Sequence, residues 1–391
     1  MTLTGRPFLA LLVVLFLGSA VLLVVFWGAL APRRVLPVIG RVVALLIVNA
    51  LLMVTVAVAL NDQYLFYVDW HDLFSGSTPS AVTVGKAGAA PSTVFDPTAS
   101  SGGSHATAAP GPFPFPEHPL ASLPALPAGS GPGNPVLTFQ VTGAKSRLQG
   151  EVMVLLPQSY FSPGMATHRY PVIVAPPTYP GTPEALFRNF DLQNGVADAV
   201  GRKAIADSIV VVPQTQFPGA PDSECVNYPS GQPQAETWMS SDIPSWVVSH
   251  FRAVSDRASW ATLGVSAGAW CASMLSFLHP GTFSAAVSLS GYFRPTFDSS
   301  PPYPNGSPQL EAYNLERLAG TAPPPVAMLV QASAQDKVSY PSTSRLLASA
   351  RRPLAIDWRI SATGGHRWVV WRPLLPVSLE WLGRTVPGFR P

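Results

Sequence analysis

The chain has 391 residues, of which 47% are apolar and only 12% are charged, about half the charged share of an ordinary soluble protein. The net charge of +3, from 24 basic and 21 acidic residues, provides no broad basic surface, so we expect no nucleic-acid partner. The 43 prolines exclude a mostly helical protein. The two cysteines exclude a disulfide-dense scaffold and a zinc site with four thiolates.

Two uncharged apolar runs, Phe8–Ala31 and Val42–Leu60, lie at the start of the chain. As helices rising 1.5 Å per residue, both are long enough to cross a bilayer. We interpret residues 1–62 as a two-span membrane hairpin, with a signal peptide or a buried core hairpin as the alternatives. The loop between the runs carries three arginines: Arg33, Arg34 and Arg41. The positive-inside rule places this loop in the cytoplasm, and both the N-terminus and everything after Leu60 outside the cell membrane.

Residues 63–135 are rich in Pro, Gly, Ser, Ala and Thr, and residues 110–116 read Pro-Gly-Pro-Phe-Pro-Phe-Pro. Such a composition cannot bury enough apolar surface to offset chain entropy. We therefore interpret this stretch as an extended, semi-rigid extracytoplasmic linker. A binding role for the proline tract is the alternative.

Residues 136–391 alternate apolar strand-like runs with helix-like segments. The predicted strands are Val136–Val141, Glu151–Leu156, Pro171–Ala175, Ser208–Val212, Trp260–Gly264, Ala285–Ser290, Val326–Gln331 and Leu354–Ile360. The predicted helices are Pro183–Lys203, Thr237–Phe251, Ala267–Leu278, Tyr340–Ala350 and Trp368–Gly383. This order predicts an α/β domain with a mostly parallel sheet. Functional side chains are then expected just after the strands.

One motif carries chemistry. Residues 264–268 read Gly-Val-Ser-Ala-Gly, directly after a predicted strand and directly before a predicted helix. A G-x-S-x-G sequence in this context is typical of a nucleophile elbow. Ser266 is then the candidate nucleophile, and the N–H of Ala267 is a candidate oxyanion donor. The alternative is a glycine-rich turn with a bystander serine.

A serine nucleophile needs a base and an acid. Elimination among the seven histidines leaves His366, which follows the last predicted strand across a glycine-containing loop. Asp336 follows the preceding strand, and the chain order Ser, acid, His is the one expected for this elbow. A solvated loop histidine is the alternative for His366. The other candidate acids are Asp298, Glu311 and Asp357.

The second oxyanion donor is expected from the loop after Pro171–Ala175, where we favour the N–H of Tyr179 because prolines have none. An even cysteine count in an oxidising compartment favours a disulfide between Cys225 and Cys271, with two buried free thiols as the alternative. No spacing of zinc ligands, no P-loop and no dinucleotide fingerprint is evident, so we predict no metal and no cofactor.

Several stretches resemble the esterase D and mycolyltransferase branch of the α/β hydrolases, which includes the mycobacterial antigen 85 proteins. They are Tyr170-Pro-Val-Ile-Val, Asn227 to Trp238, Gly264-Val-Ser-Ala-Gly, His279-Pro-Gly-Thr-Phe and Gly365-His-Arg-Trp-Val-Val-Trp. The resemblance covers about residues 148–385 and implies an α/β-hydrolase fold. It puts Ser266, Asp336 and His366 at the nucleophile, acid and base positions, and Ala267 and Tyr179 at the oxyanion positions. One departure is Pro177-Thr178, where the family often has His-Gly or Asp-Gly.

The leading hypothesis is a membrane-anchored, extracytoplasmic serine esterase that cleaves a small-molecule or lipid ester through an acyl-enzyme on Ser266. One alternative is an acyltransferase that passes the acyl group to a sugar or lipid hydroxyl. A non-catalytic cell-envelope scaffold is the alternative of another class. Trp270, Trp368 and Trp371 are candidates to line the substrate site, with core packing as the alternative for each. The substrate and the oligomeric state cannot be inferred from the residues.

Overall fold

The computed structural model describes residues 3, 6–28, 35–64, 67, 70–75, 82–88, 112–298 and 301–391. The loop with Arg33 and Arg34 lies outside these ranges, as do residues 89–111 of the predicted linker. The orientation inferred from that loop therefore stays a prediction.

Two long apolar helices, Arg6–Val25 and Val35–Tyr64, form at the start of the chain and pack against each other. Most of their side chains face outwards, and Val24, for example, is 75% exposed. By length and composition both helices can cross a membrane, a test that a signal sequence near the N-terminus also passes. A continuous apolar exterior of this extent is unusual in a water-soluble domain.

A nine-stranded sheet forms the centre of the remaining chain. The strands are β1 Val82–Gly88, β2 Val136–Thr142, β3 Gln149–Leu155, β4 Val172–Val174, β5 Ile209–Pro213, β6 Trp260–Val265, β7 Ala285–Leu289, β8 Ala327–Ser333 and β9 Ala355–Ser361. Their spatial order is β1-β9-β8-β7-β6-β4-β5-β3-β2. Neighbours from β9 to β5 are parallel, whereas β1, β2 and β3 pair antiparallel with their neighbours. The predicted mostly parallel α/β sheet is confirmed.

Both faces of the central strands of the sheet are buried. In β5, Ile209 and Val211 belong to the apolar cluster on one face, and Val210 and Val212 to the cluster on the other. Successive side chains of a strand point to opposite faces, so a strand with a helical layer on each side needs an uninterrupted apolar run. The core therefore consists of two layers that hold the sheet between them.

Helices flank the sheet on both sides. Their bounds are Pro183–Arg188, Leu192–Gly201, Ala235–Thr237, Ile243–His250, Ala267–Leu278, Pro308–Glu311, Leu315–Thr321, Tyr340–Ser349, Trp368–Trp371 and Leu375–Thr385, with Trp70–Ser75 near the two long apolar helices. One predicted single helix was wrong in its continuity, and two others change helix type along their length. Pro183–Lys203 is broken at Asp191, whose φ is 57°. The helix predicted at Thr237–Phe251 contains a π-helical turn, Trp238–Asp242. The helix predicted at Trp368–Gly383 contains a 3-10 turn at Pro373, because a proline cannot donate a helical hydrogen bond.

Two parts of the stretch interpreted as a linker pack onto the domain instead. β1 pairs along its whole length with β9 at the edge of the sheet. Phe113 lies 5.5 Å from the ring of Trp260, and Phe115 is buried in the core. For these residues the extended-linker interpretation is wrong, because their partners are distant in sequence and supply the apolar and hydrogen-bonding contacts that the local composition lacks.

Candidate active site

The turn after β6 holds the candidate nucleophile in a strained conformation. Ser266 has φ 55° and ψ −127°, a region that non-glycine residues rarely occupy. Its N–H donates to the carbonyl of Leu289 at the end of β7, and its own carbonyl accepts from the N–H of Trp270 in the following helix. The chain therefore turns sharply from strand to helix, as the motif predicts.

The two glycines of the motif are required by close approach. A Cβ atom on Gly264 would overlap the carbonyl of Gly268 in the helix that follows. A Cβ atom on Gly268 would overlap the carbonyls of Pro176 and Pro177 in the loop after β4. Because both positions lack a Cβ, the strand, the helix and this loop can meet directly at Ser266.

Ser266, His366 and Asp336 form one continuous line of hydrogen bonds. Ser266 Oγ is 2.6 Å from His366 Nε2, and His366 Nδ1 is 2.8 Å from Asp336 Oδ2. Ser266 follows β6, Asp336 follows β8 and His366 follows β9. The serine and the histidine are 100 residues apart in sequence. Ser266 is 9% exposed and His366 is 8% exposed, so the line is largely shielded from bulk water. The structure thus brings together the three residues singled out from the sequence.

Asp336 is held by four donors. Its Oδ1 accepts from the N–H groups of Val338 and Ser339, and its Oδ2 accepts from the Ser339 hydroxyl and from His366. Burial alone would raise the pKa of this carboxyl. The attraction of His366 when it is protonated and the hydrogen bonds from His366 and Ser339 outweigh it, and the pKa of Asp336 lies below its ordinary value. The carboxylate is therefore ionised and fixed opposite Nδ1.

The loop that carries His366 is anchored to the end of β8. Ser333 Oγ donates to the carbonyl of Gly364 at 2.8 Å, and the Gly364 N–H donates to the side chain of Gln335. Gly364 has φ 123°, which favours glycine. The ring centroids of Trp371 and His366 lie 4.8 Å apart, and the two ring planes are nearly perpendicular. Sequence reasoning missed these supports, although Ser333, Gln335 and Ser339 all lie within the segment around Asp336.

The candidate oxyanion donors lie beside the elbow. Ala267 is the first residue of the helix Ala267–Leu278, so its N–H has no partner within that helix. The loop of Pro176 and Pro177 rests on Gly268 and leads to Tyr179, which is half-buried against the core. Ala267 and Tyr179 both line one small cleft. The roles of their N–H groups remain predictions.

Cys225 and Cys271 form a disulfide with a Cα–Cα separation of 5.6 Å. It joins the loop after β5 to the helix Ala267–Leu278, which follows the elbow. Glu224 and Cys225 both have positive φ, 43° and 54°, so the loop reaches the helix through a tight left-handed turn. Trp270, on the same helix, donates its indole N–H to the carbonyl of Glu224.

The tryptophan predictions differ in outcome. Trp270 is completely buried and stacks on Tyr292, so the prediction that it contacts substrate is wrong and core packing holds. Its position on the helix points inwards, which the local sequence does not reveal. Trp368 is half-buried and packs against Trp371 and Phe190, and its contact with substrate stays a prediction. In the part of the chain that the structure describes, no cluster of three or more His, Cys, Asp or Glu side chains has the arrangement of a metal site.

Comparisons with known proteins agree with this geometry. The family model described as "Putative esterase" matches residues 147–382, more than half of the chain. An uncharacterized protein of Corynebacterium glutamicum is 25% identical in an alignment 233 residues long, which covers 55% of this chain and 53% of that protein. The aligned part thus spans about half the length of this curated relative.

Two solved structures share the fold. A ferulic acid esterase superposes with a TM-score of 0.53 and 17% identity, covering 64% of this chain and 97% of its own. An S-formylglutathione hydrolase from Agrobacterium tumefaciens gives 0.52 and 13%, covering 64% and 95%. At these identities the likeness establishes the α/β-hydrolase fold. Because the family match spans the sheet from β3 to β9 and the segments of Ser266, Asp336 and His366, the chain belongs to the "Putative esterase" family.

Proposed function

We propose that this esterase works through an acyl-enzyme on Ser266. The observation that carries the proposal is the line of two short hydrogen bonds, 2.6 Å from Ser266 to His366 and 2.8 Å from His366 to Asp336. A serine hydroxyl is a weak nucleophile unless a base can take its proton as it attacks. His366 Nε2 is within reach of that proton, and Asp336 keeps the other proton of the ring on Nδ1.

In the first half-reaction, Ser266 Oγ bonds to the ester carbonyl carbon while its proton moves to His366 Nε2. The carbonyl oxygen becomes an oxyanion. His366 then gives the proton to the oxygen of the leaving alcohol as the ester C–O bond breaks. In the second half-reaction a water molecule attacks the acyl-enzyme and gives its proton to Nε2. That proton returns to Ser266 Oγ as the carboxylic acid leaves.

Electrostatics support each step. The imidazolium formed in both half-reactions lies against the ionised carboxylate of Asp336, away from water, where the attraction is strong. We assign the N–H groups of Ala267 and Tyr179 to the oxyanion, since both residues line the cleft beside the elbow. If a sugar or lipid hydroxyl replaces water in the second half-reaction, the same groups perform acyl transfer. Product analysis with and without added alcohols separates the two.

The enzyme is proposed to be anchored in the membrane by its two apolar helices, with the esterase domain outside the cytoplasm. The disulfide supports an oxidising compartment. The chain around the end of the second helix also contacts the neighbour of His366. Asn61 hydrogen-bonds both main-chain groups of Tyr67, and the guanidinium of Arg367 lies 5.1 Å from the centre of the Tyr67 ring. The residue next to His366 therefore contacts the end of the proposed anchor.

The topology can be tested with single cysteines on intact cells, since both native cysteines are in a disulfide. Ser100→Cys should react with an impermeant maleimide, and Pro32→Cys should be protected until the cells are opened. The reverse pattern would place the domain in the cytoplasm. Reaction of both before the cells are opened would contradict the hairpin.

The test of the chemistry is labelling of the detergent-solubilised full chain with a fluorophosphonate. Wild-type protein should be labelled, and labelling should be lost in Ser266→Ala and fall strongly in His366→Ala. His168→Ala is the matched control, because His168 is exposed in a loop outside the hydrogen-bonded line. Equal labelling of wild type and Ser266→Ala would refute the assignment of the nucleophile.

A further inference from the structure

The chain beyond the second apolar helix stays beside one end of the helix pair. Asn61, in the last turn of that helix, hydrogen-bonds both main-chain groups of Tyr67 through its side chain. The ring centroids of Trp70 and Phe8 lie 5.3 Å apart, and Phe8 is in the first turn of the first helix. In the membrane-spanning arrangement proposed above, this end lies in the headgroup layer, roughly 5–7 Å thick on each side of the hydrocarbon core.

The chain then enters the esterase domain at the edge of the sheet where β6, β8 and β9 end. This edge carries the hydrogen-bonded line of the candidate site, and we call it the catalytic edge. β1 runs antiparallel to β9, and its first residue, Val82, pairs with Ser361, the last residue of β9. Residues 76–81 are all that separates the helix Trp70–Ser75 from β1 in the sequence, and such a segment spans at most about 25 Å. The catalytic edge is therefore held close to the proposed anchor.

A direct contact joins the two. Arg367 immediately follows His366 in the sequence, and its guanidinium lies 5.1 Å from the centre of the Tyr67 ring. A cation over an aromatic face is attracted by the electrons of the ring. His366 Nε2 is in turn 2.6 Å from Ser266 Oγ. Few side chains therefore separate the proposed nucleophile from the headgroup level at Tyr67.

Exposed apolar side chains are gathered at this same place. In residues 112–298 and 301–391 the large apolar side chains are buried or half-buried with one exception, Val369, which is 51% exposed in the short helix after His366. The other exposed apolar side chains described after the second helix are Tyr67, Trp70, Leu73, Phe74, Val82 and Val84. Phe74 is 79% exposed and stacks on Trp70. A set of this kind beside two lipid-compatible helices indicates contact with lipid, since aromatic rings favour the membrane interface.

We propose that the catalytic edge rests on the outer surface of the membrane that holds the two helices, and that Ser266 acts on esters embedded in that membrane. The substrate class is an ester of a long-chain acid. Its chain remains among the lipid tails while its ester group lies at the headgroup level. This inference rests on the proposed function of Ser266 and on the proposed anchor. The covalent steps are those given above for Ser266 and His366.

The first test locates the catalytic edge without using activity. The full chain carrying Val369→Cys or Ala322→Cys is labelled with a fluorescent maleimide and reconstituted in vesicles that contain a nitroxide-labelled phosphatidylcholine as quencher. Both native cysteines are in a disulfide, so the introduced thiol takes the label. Ala322 is the control, because it is exposed before β8 at the opposite edge of the sheet.

The strand β8 has seven residues at about 3.3 Å each, which puts the two edges roughly 23 Å apart. Quenching of the label in Val369→Cys should therefore be severalfold stronger than quenching in Ala322→Cys. Equal quenching of the two labels, or quenching of neither, would overturn the proposed orientation. Stronger quenching in Ala322→Cys would turn the domain over.

The second test compares hydrolysis of 4-methylumbelliferyl oleate, dissolved in the vesicles, with that of 4-methylumbelliferyl butyrate in water. The reconstituted wild type should hydrolyse oleate ester carried in its own vesicles at least about tenfold faster than the same ester in separate vesicles, because each buried CH₂ group holds the chain in the bilayer. Phe74→Asp places a charge at the interface and should slow hydrolysis of the oleate ester severalfold, with butyrate hydrolysis within about twofold of wild type. Phe74→Trp is the matched control and should keep both rates.

The outcomes are distinct. Selective quenching in Val369→Cys together with selective loss of oleate hydrolysis in Phe74→Asp supports the inference. Hydrolysis of the butyrate ester alone, or equal rates for oleate in shared and separate vesicles, overturns the substrate class and leaves the esterase mechanism in place. Absence of hydrolysis of both esters and of Ser266-dependent fluorophosphonate labelling refutes the proposed function itself, and the substrate class falls with it.

Discussion

The substitution Asp336→Asn should inactivate the enzyme while leaving its shape intact. Oδ1 of Asp336 faces two N–H donors, from Val338 and Ser339, so the amide nitrogen of asparagine cannot occupy that position without repulsion. It must take the Oδ2 position, next to His366 Nδ1 and the Ser339 hydroxyl. The hydroxyl can turn to accept a hydrogen bond, and the amide then donates to Nδ1.

The consequence is the wrong tautomer of His366. With Nδ1 accepting, the ring proton moves to Nε2, which lies 2.6 Å from Ser266 Oγ and can no longer take its proton. Loss of the correct tautomer in a Ser-His-Asp triad lowers kcat roughly 10⁴-fold. That corresponds to about 5 kcal/mol of transition-state stabilisation.

The assay is kcat/KM for 4-nitrophenyl butyrate, with the thermal midpoint of unfolding measured in parallel. Asp357→Asn is the matched control, because Asp357 is the other late-strand aspartate and bonds to Lys86 and Trp381 rather than to the triad. It should stay within about threefold of wild type, as expected of a change away from the reacting groups. Activity of Asp336→Asn within tenfold of wild type would refute the argument from the tautomer.

Three further predictions concern the surroundings of the site. Burial raises the pKa of Glu224, so its stabilising contribution is complete below the unfolded pKa of about 4.3 and is lost as pH rises through the folded pKa. The difference in Tm between Glu224→Gln and wild type (variant minus wild type) should therefore increase from pH 5 to pH 8, and a constant difference would argue against a raised pKa. Gly268→Ala should lower kcat at least tenfold because the added Cβ would displace the carbonyl of Pro176. Gly281→Ala is the control and should leave kcat unchanged, since a Cβ there meets open space; equal kcat values for the two variants would show that the loop tolerates the displacement. Replacing Cys225 and Cys271 together by serine should lower the free energy of unfolding by up to about 4 kcal/mol, because the bond joins residues 46 apart; an unchanged urea midpoint would contradict that role.

Much of the site could be predicted from sequence because its signals are local. The elbow needs two glycines around a serine between an apolar strand and a helix, and these five residues are contiguous. Asp336 and His366 each follow a strand, and the ends of parallel strands converge at one edge of a sheet. Chain order and elimination were then enough to select the three side chains that the structure joins by hydrogen bonds.

The supports of the site could not be found in this way. Whether Trp270 faces substrate or core depends on which side of its helix meets the sheet, and the surrounding residues are apolar in all directions. Asp222 and Glu224 lie two residues apart in the loop after β5, and both carboxyl groups accept hydrogen bonds from residues distant in sequence. The donors are Tyr292, Thr296 and Asp298, which fold back from beyond β7.

By itself, the sequence determined the two apolar helices, the layered α/β core and the identity of the candidate triad, since each rests on short local motifs or on the uninterrupted apolar runs of strands buried on both faces. Only the tertiary structure decided that Val82–Gly88 joins the sheet and where the predicted helix Pro183–Lys203 is interrupted. The strand Val82–Gly88 reads Val-Thr-Val-Gly-Lys-Ala-Gly, with little apolar signal of its own, and it exists because β9, more than 250 residues away, provides its hydrogen bonds. Long-range pairing of this kind is set by the partner and not by local propensity.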